Sequence, residues 1–328
     1  MNLGPIMMGL SGFELNNLEK VQLLKPSIGG VILFTRNFKD IHQVKALIAA
    51  IRSLKSDLLI GVDHEGGRVQ RFRKGFTHLP AMSKFGLVYD ENSQMAIEKV
   101  FSCGWILATE LLQLGIDFSF TPVLDLDYGN SSAIGDRAFH SDPEVVTELA
   151  GSLMDGIHQA GMKCVGKHFP GHGYVKDDSH YNLPVDERPI EEIRRDMSCF
   201  KGMIDKGLDA IMMAHVLYSK IDDKPSGFSS KWIKDILKTE WRFDGVVFSD
   251  DLSMNGAHFI ENNIERVRLS LESGCDMVLI CNHPEFINEV IDLEWHCSEK
   301  LMSMKGMKKI DFCNDTIDYH LNKIKTLI

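Results

Sequence analysis

Eight short runs of apolar, often β-branched residues recur along the chain, each followed by a longer stretch with helical periodicity. This alternation limits the fold more than any other feature. The runs fall at 6–10, 30–34, 58–62, 118–121, 164–167, 210–213, 245–248 and 276–280. Helical patterns lie between them at 14–24, 41–54, 94–114, 143–160, 190–206, 231–240 and 264–273, and a closing amphipathic helix is expected over 310–328. Strands that are apolar on both faces belong in a parallel sheet covered by helices. Eight strand-plus-helix units close such a sheet on itself, so the expectation is an α/β fold of the TIM-type (β/α)8 barrel class.

The chain has 328 residues, long for one average domain but ordinary for such a barrel. No Pro/Ser/Gly-rich linker, charge block or internal repeat marks a boundary, so 1–328 is expected to form a single catalytic barrel domain with a C-terminal helix. Gly207, Gly245 and Gly274 stand where helices must turn back into strands. Ser229 or Ser230 and the Asp142-Pro143 pair read as helix caps.

Charge excludes several function classes. The 36 basic residues are outnumbered by 46 acidic ones, giving a formal charge of −10, the wrong sign for a partner that is nucleic acid or an anionic membrane. No run approaches the roughly 18 apolar residues of a membrane span, and the N-terminus lacks a basic, apolar leader. The seven cysteines include no CxxC pair, which argues against a disulfide framework or zinc finger and for a reducing, cytoplasmic setting.

In a (β/α)8 barrel the chemistry gathers where strands end at their C-termini. Here the third run is followed by Asp63-His64-Glu65 and Arg68 to Arg71, the fourth by Asp125 and then Asp136-Arg137, and the fifth by Lys167-His168, His172 and Asp178-Ser179-His180. The sixth leads to His215, the seventh to Ser249-Asp250-Asp251 and the eighth to Asn282-His283. One Asp after a strand is most often a helix cap. Lys and Arg do not cap helix N-termini, where the dipole disfavours them, so this convergence points to a bound polar ligand.

At these positions the sequence resembles the family 3 glycoside hydrolases, within them the single-domain β-N-acetylglucosaminidases (β-N-acetylhexosaminidases) of the NagZ type. The resemblance is carried by GVDHEGGRVQRF (61–72), GDRAFHSDP (135–143), KHFPGHG (167–173), DDSH (177–180), MAHV (213–216) and FSDDLSM (248–254). His64 stands where the family usually has Gln, and little resemblance remains beyond Asp292. A retaining glycosidase needs a carboxylate nucleophile and a proton donor for the leaving oxygen. Asp250, at the end of a buried strand, is the candidate nucleophile, with Asp251 pointing the other way as a support. The resemblance implies His180 as acid/base, oriented by Asp178, and implies that Asp63, Arg71, Arg137, Lys167 and His168 hold the sugar. It implies no metal or other cofactor, and a substrate that is a muropeptide or another N-acetylglucosaminide. Peptidoglycan recycling in a bacterial cytoplasm is the implied setting, with cleavage of N-acetylglucosamine from 1,6-anhydro-N-acetylmuramoyl peptides by a monomeric enzyme.

Three other readings compete. A His/Asp dyad also suits a phosphorylase, because a second carboxylate would repel inorganic phosphate. Histidines on strand ends could serve a metal-dependent hydrolase, although neither an HxH after the first strand nor HExxH is present. A non-catalytic sugar-binding protein would leave the nucleophile and dyad candidates unexplained.

Overall fold

A computed structural model describes residues 3–176, 179, 182–307 and 314–327. Eight parallel strands close into a barrel: β1 (Ile6–Gly9), β2 (Ile28–Leu33), β3 (Leu59–Val62), β4 (Phe118–Ser119), β5 (Lys163–Phe169), β6 (Ala210–Met213), β7 (Val246–Asp251) and β8 (Met277–Ile280). Sequential strands are neighbours throughout, and β8 returns to β1 with Ile6 opposite Val278. The rings of Phe118, Phe120 and Phe248 fill the middle of the barrel with centroids 5.2 to 5.6 Å apart. Gly61 opposite them leaves the space, since a Cβ there would lie 3.0 Å from the Phe118 ring.

The helices α1 (Asn17–Leu23), α2 (Ile41–Leu54), α3 (Met82–Glu91), α4 (Ser93–Leu112), α5 (Pro143–Gln159), α6 (Ile190–Asp205), α7 (Asn263–Ser273) and α8 (Pro284–Val290) surround the sheet, and α9 (Asn314–Ile324) packs on α4. Helix α3 is not expected from the sequence pattern; its apolar contacts are Met82 and Phe85 in its first turns. Lys231–Glu240 is helical as expected but wound wider, with i→i+5 bonds such as Trp241 N to Ile236 O at 2.9 Å. Asp142 caps α5 ahead of Pro143, and Ser229 rather than Ser230 accepts from Trp232 N. Helix α9 begins at Asn314, and 308–313 lie outside the described residues. No helix among the described residues is long and apolar enough to cross a membrane.

One three-residue unit recurs before β4, β6 and β8. It is Gly115-Ile116-Asp117, Gly207-Leu208-Asp209 and Gly274-Cys275-Asp276. Each glycine ends a helix region with a left-handed φ, at 90°, 91° and 120°. Each aspartate then accepts a backbone N–H from the strand before its own: Ile60 N at 2.8 Å, Cys164 N at 3.0 Å and Val247 N at 2.8 Å. Asp117 also takes Arg52 at 2.7 Å and Lys305 at 3.5 Å, and Asp209 takes His158 at 2.6 Å and Lys163 at 2.7 Å. Gly245, by contrast, is required for close approach and not for a left-handed turn, since a Cβ there would stand 2.4 Å from Asp209 O. These clamps set the strand register at the rim opposite the ionisable cluster.

Asp276→Ala should therefore lower stability by about 1–3 kcal/mol, the cost of an unsatisfied buried N–H. Asp117→Ala should cost more, because it strands Arg52 and Lys305, whereas Asp276 has one looser cationic partner, Lys238 at 3.7 Å. Urea midpoints of the two variants measured side by side check the order, and equal losses or the reverse order would refute the clamp.

Candidate active site

At the C-terminal rim, β3, β5 and the loop after β4 deliver five charged side chains in alternating sign. Arg71 Nη2 lies 3.2 Å from Asp63 Oδ2, and Asp63 Oδ1 lies 2.9 Å from Lys167 Nζ. Lys167 Nζ in turn lies 2.6 Å from Glu65 Oε1, and Glu65 takes Arg137 through two parallel bonds of 2.8 Å. The fork-to-fork geometry of the last pair fixes its orientation as well as its distance. Burial alone would raise the Asp63 carboxyl, but Lys167 and Arg71 overcome it and hold the group below the usual carboxylate range. Burial likewise opposes Glu65, and Arg137 and Lys167 bring it down to about 2.

His168 is set by Asp125, whose Oδ2 lies 2.7 Å from His168 Nδ1 and whose Oδ1 accepts His172 N at 2.7 Å. A carboxylate only accepts, so Nδ1 donates and the ring is held in one orientation. His64 is wholly buried beside Phe72 and Phe76, its ring nitrogens find no hydrogen-bond partner among the described residues, and burial brings it down to about 3. It is a neutral packing residue, and it leaves the Asp63–Arg71 pair intact as expected.

Strand β7 runs three residues further than its apolar core suggests, so Asp250 and Asp251 lie within the strand. Its pairing with β8 is irregular between Phe248 and Asp251 and both aspartates border one rim cavity, so the alternation expected of a regular strand does not separate them. Asp251 accepts from Ser253 N at 2.9 Å, Cys281 N at 3.0 Å and Asn282 Nδ2 at 3.1 Å, which fits the supporting role expected for it. Its own N–H donates to Asp250 Oδ1 at 2.8 Å and orients that carboxylate.

Asp63, Arg71, Arg137, Lys167, His168 and Asp250 all line one cavity of about 280 Å³, floored by Ile32, Met212 and Leu279. A larger cavity of about 740 Å³ opens at the opposite rim beside Gly274, Asp276 and Trp295, but it holds no such constellation. Asp178 and His180 lie outside the described residues. Glu65 and Asp125 stand after the third and fourth runs but take no role from the sequence; the excess of three cations, Arg71, Arg137 and Lys167, over the one carboxylate Asp63 is the available signal for Glu65. Arg188 was missed. It is buried against Asp186 and Asp196 at 2.8 Å each, where burial, opposed by Arg188, pushes Asp196 up to about 6.

The profile of the glycosyl hydrolase family 3 N terminal domain matches residues 6–303. The chain belongs to glycosyl hydrolase family 3. Among curated proteins of that kind, a beta-hexosaminidase of Methylobacillus flagellatus is 52% identical over 298 residues, 90% of this chain and 85% of that protein. Another, from Thiobacillus denitrificans, is 52% identical over 300 residues, 90% of this chain and 84% of that protein. The crystal structure of NagZ from Neisseria gonorrhoeae in complex with N-trifluoroacetyl-D-glucosamine matches with a TM-score of 0.89 and 44% identity, covering 98% of this chain and 94% of that one. This family 3 member is thus a glycoside hydrolase of the NagZ type on a (β/α)8 barrel.

The depressed carboxyls of Asp63 and Glu65 make stability pH-dependent. Their contribution is fully present above the unfolded carboxyl range near pH 4 and is lost as pH falls toward about 2, where Glu65 takes up its proton. Glu65→Gln should cost about 3–5 kcal/mol near neutrality by stranding the Arg137 guanidinium and leaving Lys167 with Asp63 alone. It should also flatten the dependence between pH 5 and pH 2. Urea titrations across that range check both, and an unchanged slope would remove Glu65 from the network.

Proposed function

We propose that this chain is a retaining exo-β-N-acetylglucosaminidase in which Asp250 attacks the anomeric carbon and His180, oriented by Asp178, protonates the leaving oxygen. The observation that carries the reading is the placement of Asp250, at the end of β7, in one small cavity with the Arg71–Asp63–Lys167–Glu65–Arg137 chain. A cavity of about 280 Å³ is at the low end for ligand pockets and suits one sugar ring, hence removal of a terminal residue. Carboxylates accept from ring hydroxyls while guanidinium and ammonium groups donate to hydroxyl and amide oxygens, so Asp63, Arg71, Arg137, Lys167 and His168 hold the N-acetylglucosamine. The N-acyl glucosamine bound by the Neisseria gonorrhoeae protein supports that sugar class.

In the first step Asp250 Oδ bonds to C1 as the glycosidic C–O bond breaks, and the His180 proton goes to the departing oxygen. In the second, His180 takes a proton from water, whose oxygen displaces the Asp250 carboxylate from C1. Arg71, Lys167 and Arg137 are each engaged by a carboxylate, which leaves no dedicated anion cradle among the described residues and favours water over phosphate as acceptor. The proposed substrate is an N-acetylglucosaminyl-1,6-anhydro-N-acetylmuramoyl peptide of peptidoglycan recycling, met by a monomeric enzyme in the cytoplasm. The whole chain acts as one catalytic unit that needs no cofactor.

Incubation with that muropeptide in physiological phosphate, followed by mass analysis, should give free N-acetylglucosamine. Mainly N-acetylglucosamine 1-phosphate would overturn hydrolysis, and no cleavage would overturn the substrate. A fluorinated N-acetylglucosaminide should label Asp250, whereas an adduct on Asp251 would reassign the nucleophile. His180→Ala should slow glycosylation of poor leaving groups by about 10²–10⁴-fold.

A further inference from the structure

The connection from β5 to α6 carries Asp178 and His180, and the described residues on both sides of them converge on one guanidinium, that of Arg188. On the N-terminal side, the Tyr174 ring packs against it with Cζ 3.9 Å from the ring centre. On the C-terminal side, Asp186 accepts from Arg188 Nε at 3.1 Å and from Nη2 at 2.8 Å. The remaining arm reaches the body of the barrel, where Nη1 donates to Asp196 Oδ2 on α6 at 2.8 Å and to the Tyr128 hydroxyl, from the loop after β4, at 3.2 Å.

Further contacts lock the same two flanks. Gly171 passes so close to α6 that a Cβ would meet the Asp196 Cβ at 2.6 Å, and its carbonyl accepts from the Tyr218 hydroxyl at 2.7 Å. Asp186 in turn pairs with Tyr218 in a short parallel bridge after β6. Arg188 is only 7% exposed. Burying one guanidinium between two carboxylates stabilises a fold little more than apolar packing would, because desolvation offsets most of the attraction. What the arrangement does supply is direction: a planar fork that holds several partners at fixed angles, which a lysine cannot reproduce.

We propose that Arg188 is a positioning residue for the glycosidase reaction, clasping Tyr174 and Asp186 to Asp196 and Tyr128 and so fixing both flanks of the segment that carries the acid/base. The proposal rests on the reading of His180 as acid/base. Arg188 touches no reacting atom. Its effect is on where the proton donor stands, and a displacement of about 1 Å in such a group costs on the order of 10²-fold.

The test uses the full chain and a series of aryl N-acetylglucosaminides of graded leaving-group pKa, with glycosylation rates measured in the pre-steady state. Arg188→Lys keeps the charge and removes the fork. Tyr174→Ala loosens one flank at a residue that is 40% exposed, where folding is not at risk. Both variants should slow the poorest leaving groups by about 10–100-fold and the most activated by less than about threefold, so the plot of log rate against leaving-group pKa steepens. KM should barely move. Adding His180→Ala to Arg188→Lys should steepen the plot no further than His180→Ala alone. A uniform loss for all leaving groups, or an unchanged slope in both variants while His180→Ala is steep, would overturn the positioning role alone. A flat His180→Ala plot would overturn the acid/base assignment and the positioning role with it.

Discussion

The Lys167 ammonium, only 2% exposed inside the barrel mouth, is the constraint around which the rim is organised. A buried cation is costly unless carboxylates surround it, and Asp63 and Glu65 both come from the same stretch after β3 to do so. Two carboxylates so close would repel one another, and Arg71 and Arg137 complete the balance from either end. The result is a preformed row of donors and acceptors whose positions are settled before a ligand arrives. Interactions that need no reorganisation during reaction are the ones that most favour a transition state. A sugar, whose every hydroxyl both donates and accepts, can engage such a row by adding to it without dismantling any pair.

Adjacent residues at the end of β7 divide two tasks although both border the same cavity. Asp251 ties the strand end to the turn after β7 and to β8, with Ser253, Cys281 and Asn282 as partners. Asp250, which lines the cavity, accepts the main-chain N–H of Asp251 at 2.8 Å. The same economy recurs at His168, where a fully buried Asp125 fixes the ring from behind.

The barrel was legible because its strands are short, apolar and separated by helical periodicity, and all eight expected runs coincide with observed strands to within a few residues. Boundaries failed where tertiary contacts override local pattern. Strand β7 continues into polar Ser249, Asp250 and Asp251 because β8 supplies partners, with Asp251 opposite Leu279. Position after a strand placed Asp63, Arg71, Arg137, Lys167, His168 and Asp250 at the rim, and the family resemblance singled them out among the other polar residues there. Glu65, Asp125 and Arg188 could not be given roles that way, since what defines each is a partner distant in sequence: Arg137 for Glu65, His168 for Asp125, Asp196 for Arg188. The roles given to Asp178 and His180 rest on family resemblance, not on position.

The Gly-x-Asp clamps have a consequence for how the barrel is partitioned. Each joins an even strand to the odd one before it, β3 with β4, β5 with β6 and β7 with β8. In the remaining pair the Ser27 carbonyl plays the part, accepting Ile6 N at 3.1 Å. The closed sheet therefore holds three two-stranded modules stitched at the base by a side chain. Main-chain bonds of the Ser27 kind also cross the seams between modules, Val246 N to Asp209 O at 3.1 Å and Val278 N to Pro5 O at 2.8 Å. Circular permutants opened at a seam, between β4 and β5 or between β6 and β7, keep every stitch within a continuous stretch of chain. Those opened inside a module leave its stitch to be made between opposite ends of the polypeptide.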